Sequence, residues 1–308
     1  MKRLKFIIIS MLIMLVFCGC DSQKSEEESS KINVVTSFYP IYIATSNIVD
    51  GVPDIELNNL TSQTTGCLHD YQITTADMIK LSRADILVIN GDGMESFIDK
   101  AMSMYQDLKI INSSEGIKEN HEEIIEEEPH NEENEHDHGE NNHYWVSISL
   151  YIEQVKNIKE GLIKNNPENA EFYEKNANNY ISKLENLKEK MHAELEEYAG
   201  SSIVTFHEAF DYFAEEFDLK IAQVIQREPG TYPSSLEIAE TIRLIKNTNV
   251  KAIFVEPQYS RTAADTIARE TNVKVYTLDP VVTGDLNKDA YVTIMEQNLE
   301  VLKEALSN

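Results

Sequence analysis

Four residues spread along the chain carry the donor chemistry of a metal site: His69, His143, His207 and Asp279. His207 directly follows the apolar run 202–206, Asp279 directly follows the run 273–278, and His69 lies beside Gly66 in a loop after the run 55–60. If those runs are parallel strands, all three residues stand at carboxyl-end positions, where side chains from separate loops can converge. With His143 they give three imidazoles and one carboxylate, two donors from each half of the chain. That set suits tetrahedral Zn2+, with Zn–N distances of about 2.0–2.1 Å. Spacing alone leaves a plainer alternative open, that these are core histidines with satisfied hydrogen bonds. A zinc hydrolase could also use three imidazoles and an exchangeable position. His207-Glu208 opens like the HExxH motif, but Asp211 stands where the second histidine is required, and no other motif supplies a positioned base.

A second concentration of donors precedes His143. Residues 119–142 hold eleven acidic residues and four histidines, His121, His130, His136 and His138, which is half of the chain's eight histidines. So many like charges cannot share a packed face, and no amphipathic period survives, so the tract reads as a solvated loop. Its composition also reads as weak metal binding, with a simple acidic linker as the alternative.

The surrounding elements must bring these donors together. Runs 32–36, 55–60, 85–90 and 108–111 read as strands, separated by helices over 40–49, 74–83 and 94–105. Continuous apolar strands alternating with helices imply a parallel sheet covered on both faces. Residues 147–199 are helical only: Asn166 and Pro167 mark a start, and Tyr173, Ala177, Tyr180, Leu184, Leu187, Met191 and Leu195 recur every three or four residues up to Gly200. At about 1.5 Å per residue, such a helix of roughly 33 residues is a rod of roughly 50 Å. That is long enough to run along both halves and join them, although a coiled-coil dimer helix is an alternative. Strands over 202–206, 221–225, 250–256 and 273–278, with helices over 210–217, 233–246, 261–270 and 288–306, repeat the alternation. The expected class is α/β, with two lobes, each a parallel sheet flanked by helices, joined by one long rigid helix, and the metal site in the cleft between lobes. The expected boundaries are 32–146 for the first lobe, including the loop 119–142, 147–199 for the helical segment, and 200–308 for the second lobe.

Composition narrows the partners. The 308 residues carry a formal net charge of −26, which repels phosphate and attracts metal ions, so nucleic acid is not an expected partner. Residues 1–19 read as an export signal: Lys2, Arg3 and Lys5 precede an apolar run, 6–18, too short to span a bilayer comfortably. The run ends in Phe17-Cys18-Gly19-Cys20, which resembles a bacterial lipobox with an atypical Phe17 and makes Cys20 the expected lipidated residue. Ordinary cleavage and secretion is the alternative. Residues 20–31 would then form a flexible tether. Cys67 is the only other cysteine after processing, so no internal disulfide is expected.

Several ordered motifs carry a resemblance to a known family. Gly66-x-x-His69-Asp70-Tyr71 precedes ADILVINGDGMESF; the histidine-rich insertion ends in His143-Tyr144-Trp145; TFHEAFDYFAEEFDL surrounds His207; and KAIFVEPQYS leads to TLDPV. Together they resemble the metal-binding lipoproteins that feed ABC importers, the cluster A-I solute-binding proteins of ZnuA and AdcA type, over nearly all of 31–308. The resemblance implies a non-enzymatic monomer, lipid-anchored at the outer face of a bacterial cell membrane, that captures Zn2+ and delivers it to an ABC permease. A Mn2+-specific protein or an adhesin of the same family is the alternative. Carried over position by position, the ligands fall on His69, His143, His207 and Asp279. Glu256 rivals Asp279 as the fourth, and Glu228 and Pro229 match a segment near the cleft. Cys67 and Leu68 depart from the usual pattern. The thiol raises the question of a sulphur ligand, and it is expected to serve packing, since adjacent ligands on one loop need a tight reversal.

Overall fold

The computed structural model describes residues 31–68, 71–98, 104–105, 107–118, 141–225 and 232–307. Cys20, His69, His121, His130, His136, His138, Glu228 and Pro229 lie outside the described residues. From Ile32 onward the chain is one compact unit.

The first half builds a sheet from β1 (Ile32–Thr36), β2 (Ile55–Asn59), β3 (Ile86–Ile89) and β4 (Lys109–Asn112), all parallel, in the order β2-β1-β3-β4. Helix α1 (Tyr39–Ile48) follows β1, and α2 (Thr75–Leu81) precedes β3. The start of α2 is written in its residues. The Thr74 side chain accepts from Asp77 N while the Asp77 carboxylate accepts from Thr74 N, a reciprocal cap that satisfies two otherwise orphaned donors. Of the helix expected over 94–105, the described residues form only a 3-10 turn, Ser96–Ile98. The chain enters it through left-handed backbone at Gly91, Asp92 and Gly93. The buried Glu95 carboxylate then folds back to accept from the backbone N–H groups of Asn90 at 2.7 Å and Gly91 at 3.0 Å. Burial pushes that carboxyl up to about 7, opposed by those N–H groups.

Helices α3 (Ile148–Asn165) and α4 (Ala170–Leu195) come next. The α4 stripe Tyr173, Ala177, Tyr180, Leu184, Leu187, Met191 and Leu195 is buried throughout, and α4 lies against α1, α3 and α8 (Ala290–Leu306) of the same chain. That intramolecular cover, not a coiled-coil partner, occupies the stripe. The start differs in detail from a capped one: Pro167–Asn169 form a 3-10 turn, and the Asn166 side-chain oxygen Oδ1 accepts from Tyr173 Oη at 2.9 Å and caps no backbone N–H. The 26 residues of α4 make a rod of about 39 Å. Polar links tie it to both halves: Asn176 donates to Ile48 O and Asp50 O, and Lys183 pairs with Asp289 at 2.7 Å.

The second half repeats the first. Strands β5 (Ser202–Thr205), β6 (Lys220–Val224), β7 (Val250–Val255) and β8 (Val275–Thr277) are parallel in the order β6-β5-β7-β8. They are flanked by α5 (Asp211–Glu216), α6 (Ser235–Asn247), α7 (Thr262–Thr271) and α8. Both sheets therefore reverse direction of growth beside their first strand. In open α/β sheets the crevice outside the carboxyl ends at such a reversal is where ligands bind. The largest core cluster runs through both halves, from Val34 and Phe38 through Trp145, Tyr151 and Tyr180 to Phe254 and Tyr291, and a smaller cluster lies in each half. Tyr151 and Tyr291 stack at 3.9 Å in its middle.

Candidate metal centre

The strand pairing of the second half decides where His207 goes. Thr205 of β5 stands opposite Phe254 of β7, so two residues further along His207 faces Glu256. The contact forms: His207 Nδ1 and Glu256 Oε1 are 2.7 Å apart, with both side chains almost completely buried. An Nδ1–H donated to the carboxylate puts the ring's basic lone pair on Nε2. Carboxylate-held imidazoles are the usual arrangement behind a metal, and they fix ring orientation as well as tautomer.

His143 reaches the same place from the first half. It opens the 3-10 turn Tyr144–Val146 and is fully buried. Its Nδ1 lies 2.8 Å from Asn141 Oδ1, which also accepts from the His143 backbone N–H at 3.0 Å. The lone pair therefore falls on Nε2 here too. Asn141 is itself anchored across the cleft, donating from Nδ2 to Glu208 O at 3.0 Å and to Asp211 Oδ2 at 2.8 Å. On the other side, Asn90 Nδ2 holds the Asn142 carbonyl at 2.9 Å, so the turn that Glu95 closes also supports the residue before His143.

The two imidazoles meet edge to face with ring centroids 4.9 Å apart. A third donor joins them. Cys67 Sγ lies 3.2 Å from His143 Nε2, and one donor atom each from Cys67, His143 and His207 lie within 4.8 Å of one another. Cys67 also packs against the core, as expected. Gly66, whose φ of +83° is open to glycine at no steric cost, turns the chain just before it.

Asp279 follows β8 and is clamped by Asn298 of α8, which accepts from its N–H at 3.0 Å and donates to its carbonyl at 2.7 Å. Its Oδ1 accepts from Val281 N at 2.8 Å. Burial pushes its carboxyl up to about 6; the Val281 N–H opposes the shift and the neighbouring Glu256 charge adds to it. Asp279 and Glu256 lie outside the three-donor group. Thus the structure brings together His143 and His207, adds Cys67, and sets Glu256 behind His207. Asn141 is the supporting residue that sequence reasoning missed, since it sits at the end of a low-complexity tract.

Removing the support should weaken the site without abolishing it. Glu256→Gln keeps the shape but offers a neutral acceptor, and changes behind metal ligands typically cost about 10–100-fold in affinity. Competition titration with a zinc chelator measures this, and an unchanged affinity would mean that the carboxylate does not orient His207 for a metal.

Comparison with known proteins adds four findings. A family model described as ZnuA, zinc-uptake complex component A, periplasmic, matches residues 34–305. The high-affinity zinc uptake system protein ZnuA of Bacillus subtilis (strain 168) is 35% identical over 319 aligned positions, covering 98% of this chain and 96% of that protein. The zinc-binding lipoprotein AdcA of Streptococcus pneumoniae (strain R6) is 31% identical, and there the match takes in 99% of this chain but 61% of the relative. Among solved structures, the solute-binding protein FpvC of Pseudomonas aeruginosa in complex with Mn2+ superposes with a TM-score of 0.75 at 27% identity, covering 90% of this chain and 98% of that one.

Proposed function

Because the chain belongs to the ZnuA family, the periplasmic component A of zinc-uptake complexes, we propose that it captures Zn2+ between its two sheets and hands the ion to an ABC permease. It is a binding protein and not an enzyme, which removes the hydrolase alternative. His143 and His207 are the central ligands of this reading, with His69 and Asp279 as further ligands. Segment 119–142 acts as a weak auxiliary collector of metal, and lipid at Cys20 holds a monomer at the outer face of the membrane.

One observation carries the reading: two buried imidazoles from different halves of the chain meet with both Nδ1 atoms engaged by oxygen acceptors and both lone pairs on Nε2. Imidazole nitrogen favours zinc over manganese, and intrinsic affinity at nitrogen sites follows the same order. The continuous core and the rod α4 allow small lobe movements around the bound ion rather than a wide closure.

The test is a competition titration of metal-free protein with Zn2+ and with Mn2+. One tight site is expected, with zinc bound more strongly. Affinity must also fall with pH, because every ligand has to shed its proton before it binds. Asp279, with its carboxyl at about 6, is ionised at pH 7 and mostly protonated at pH 5. It alone costs about tenfold between those values, and the imidazoles add to that. Equal affinity at pH 7.5 and pH 5, or no tight binding of either metal, overturns the proposal.

A further inference from the structure

We propose that Cys67 is itself a ligand of the captured ion, taking the fourth position in place of Asp279, which lies outside the three-donor group; this makes the centre a mixed nitrogen–sulphur site with a preference for soft and borderline metals. This rests on the reading that His143 and His207 hold a metal, and it concerns which metals that site selects.

The three donors lie close enough for one ion to gather them with small side-chain movements. A tetrahedral zinc with Zn–S of about 2.3 Å and Zn–N of about 2.0–2.1 Å holds neighbouring sulphur and nitrogen ligands roughly 3.5 Å apart and neighbouring nitrogens roughly 3.3 Å apart. Cys67 Sγ stands 3.2 Å from His143 Nε2, and the spread of the three donors is at most 4.8 Å. Nε2 is also the His143 nitrogen that carries the lone pair, because Asn141 occupies Nδ1. The sulphur therefore lies beside the donor atom and not against the back of the ring. Gly66, with its left-handed backbone, turns the chain so that the residue after it points into the cleft. Both imidazoles are buried while Cys67 is only half-buried, so the thiol stands at the accessible side of the group.

On binding, a metal–sulphur bond forms as the thiol proton is released to solvent, and no electron changes hands. Sulphur is a soft donor that favours zinc and its softer relatives, whereas oxygen-rich sites suit manganese. Cys67 is thus a specificity-determining residue for the family's metal capture in this chain.

Cobalt(II) reports on the ligands directly, since it occupies zinc sites and its thiolate bonds give a charge-transfer band in the near ultraviolet, separate from its visible ligand-field bands. Wild-type protein loaded with Co2+ is expected to show both. Cys67→Ser should keep the visible bands and lose the ultraviolet one, and in Cys67→Ala the ratio of zinc to manganese affinity should fall at least tenfold. Visible bands without a charge-transfer band in the wild-type protein would overturn the sulphur ligand while leaving the metal site intact. Absence of any Co2+ absorption or binding would overturn the metal site and the sulphur ligand together. The wild-type spectrum alone decides, so the test does not depend on either variant folding.

Discussion

His207→Ala is expected to lower zinc affinity by several hundredfold. Binding energies of structural zinc sites run to about 10–16 kcal/mol, so one donor of four accounts for about 3 kcal/mol. At about 1.4 kcal/mol per factor of ten this is a loss of 10²- to 10³-fold. The alanine also strands Glu256, a carboxylate only 3% exposed that now bonds the imidazole. Leaving a buried acceptor unmatched costs about 1–3 kcal/mol of stability, so the metal-free variant should melt at a lower temperature as well. His192 is the natural control. It lies near the end of α4 with a half-exposed ring 3.4 Å from Glu216, and His192→Ala should leave zinc affinity at the wild-type value. If the His207 variant bound zinc as tightly as the wild type, the convergence of the two imidazoles would have nothing to do with metal.

The residues of that experiment were legible in the sequence to different depths, for physical reasons. Runs such as Ile86–Ile89 announce themselves because a parallel strand buried on both faces has no polar side to display. The position of His207 and Asp279 at the carboxyl ends of the sheet was legible because each directly follows such a run. The α4 stripe was legible because its seven apolar residues repeat with the helix and all are buried. Glu256 was read as a rival ligand and not as the partner of His207. That pairing depends on the register of β5 against β7, between residues 49 apart, and no local pattern encodes register at such separation. Cys67 was read as packing, since adjacent ligands on one loop need a tight reversal, and it does pack against the core; its approach to His143 depends on a backbone angle at Gly66 that no local pattern announces. The signal that could have found it was a glycine and a cysteine inside an otherwise familiar histidine motif. A helix was expected over 94–105. At its described start, Glu95 turns back onto the left-handed turn at Gly91–Gly93, a local hydrogen-bonding alternative of the kind that competes with helix.

Trp145→Ala should be the most destabilising single change among residues that touch no metal, at about 3–5 kcal/mol. The indole is fully buried, meets Phe38 edge-on at 4.9 Å, and lies 5.2 Å from the His143 ring. Its Nε1–H donates to Pro280 O at 2.7 Å, and its own carbonyl accepts from Tyr291 Oη at 2.8 Å. One residue therefore joins the first half, the His143 turn and the chain just past Asp279. Truncation opens a cavity at that junction and leaves the Pro280 carbonyl without its donor. For a chain of this size the loss corresponds to a drop of roughly 5–9 °C in melting temperature, measured on the metal-free protein. Trp145→Phe separates the two contributions: it restores most of the packing but not the hydrogen bond, and should recover part of the stability while Pro280 O stays unmatched at a cost of about 1–3 kcal/mol. Zinc affinity should fall in both variants, because His143 and the segment after β8 lose the side chain that sets their spacing. A Trp145→Ala protein with wild-type melting temperature and wild-type affinity would mean that the two halves are held in register by α4 and α8 alone, and that the centre between them tolerates an empty space at its edge.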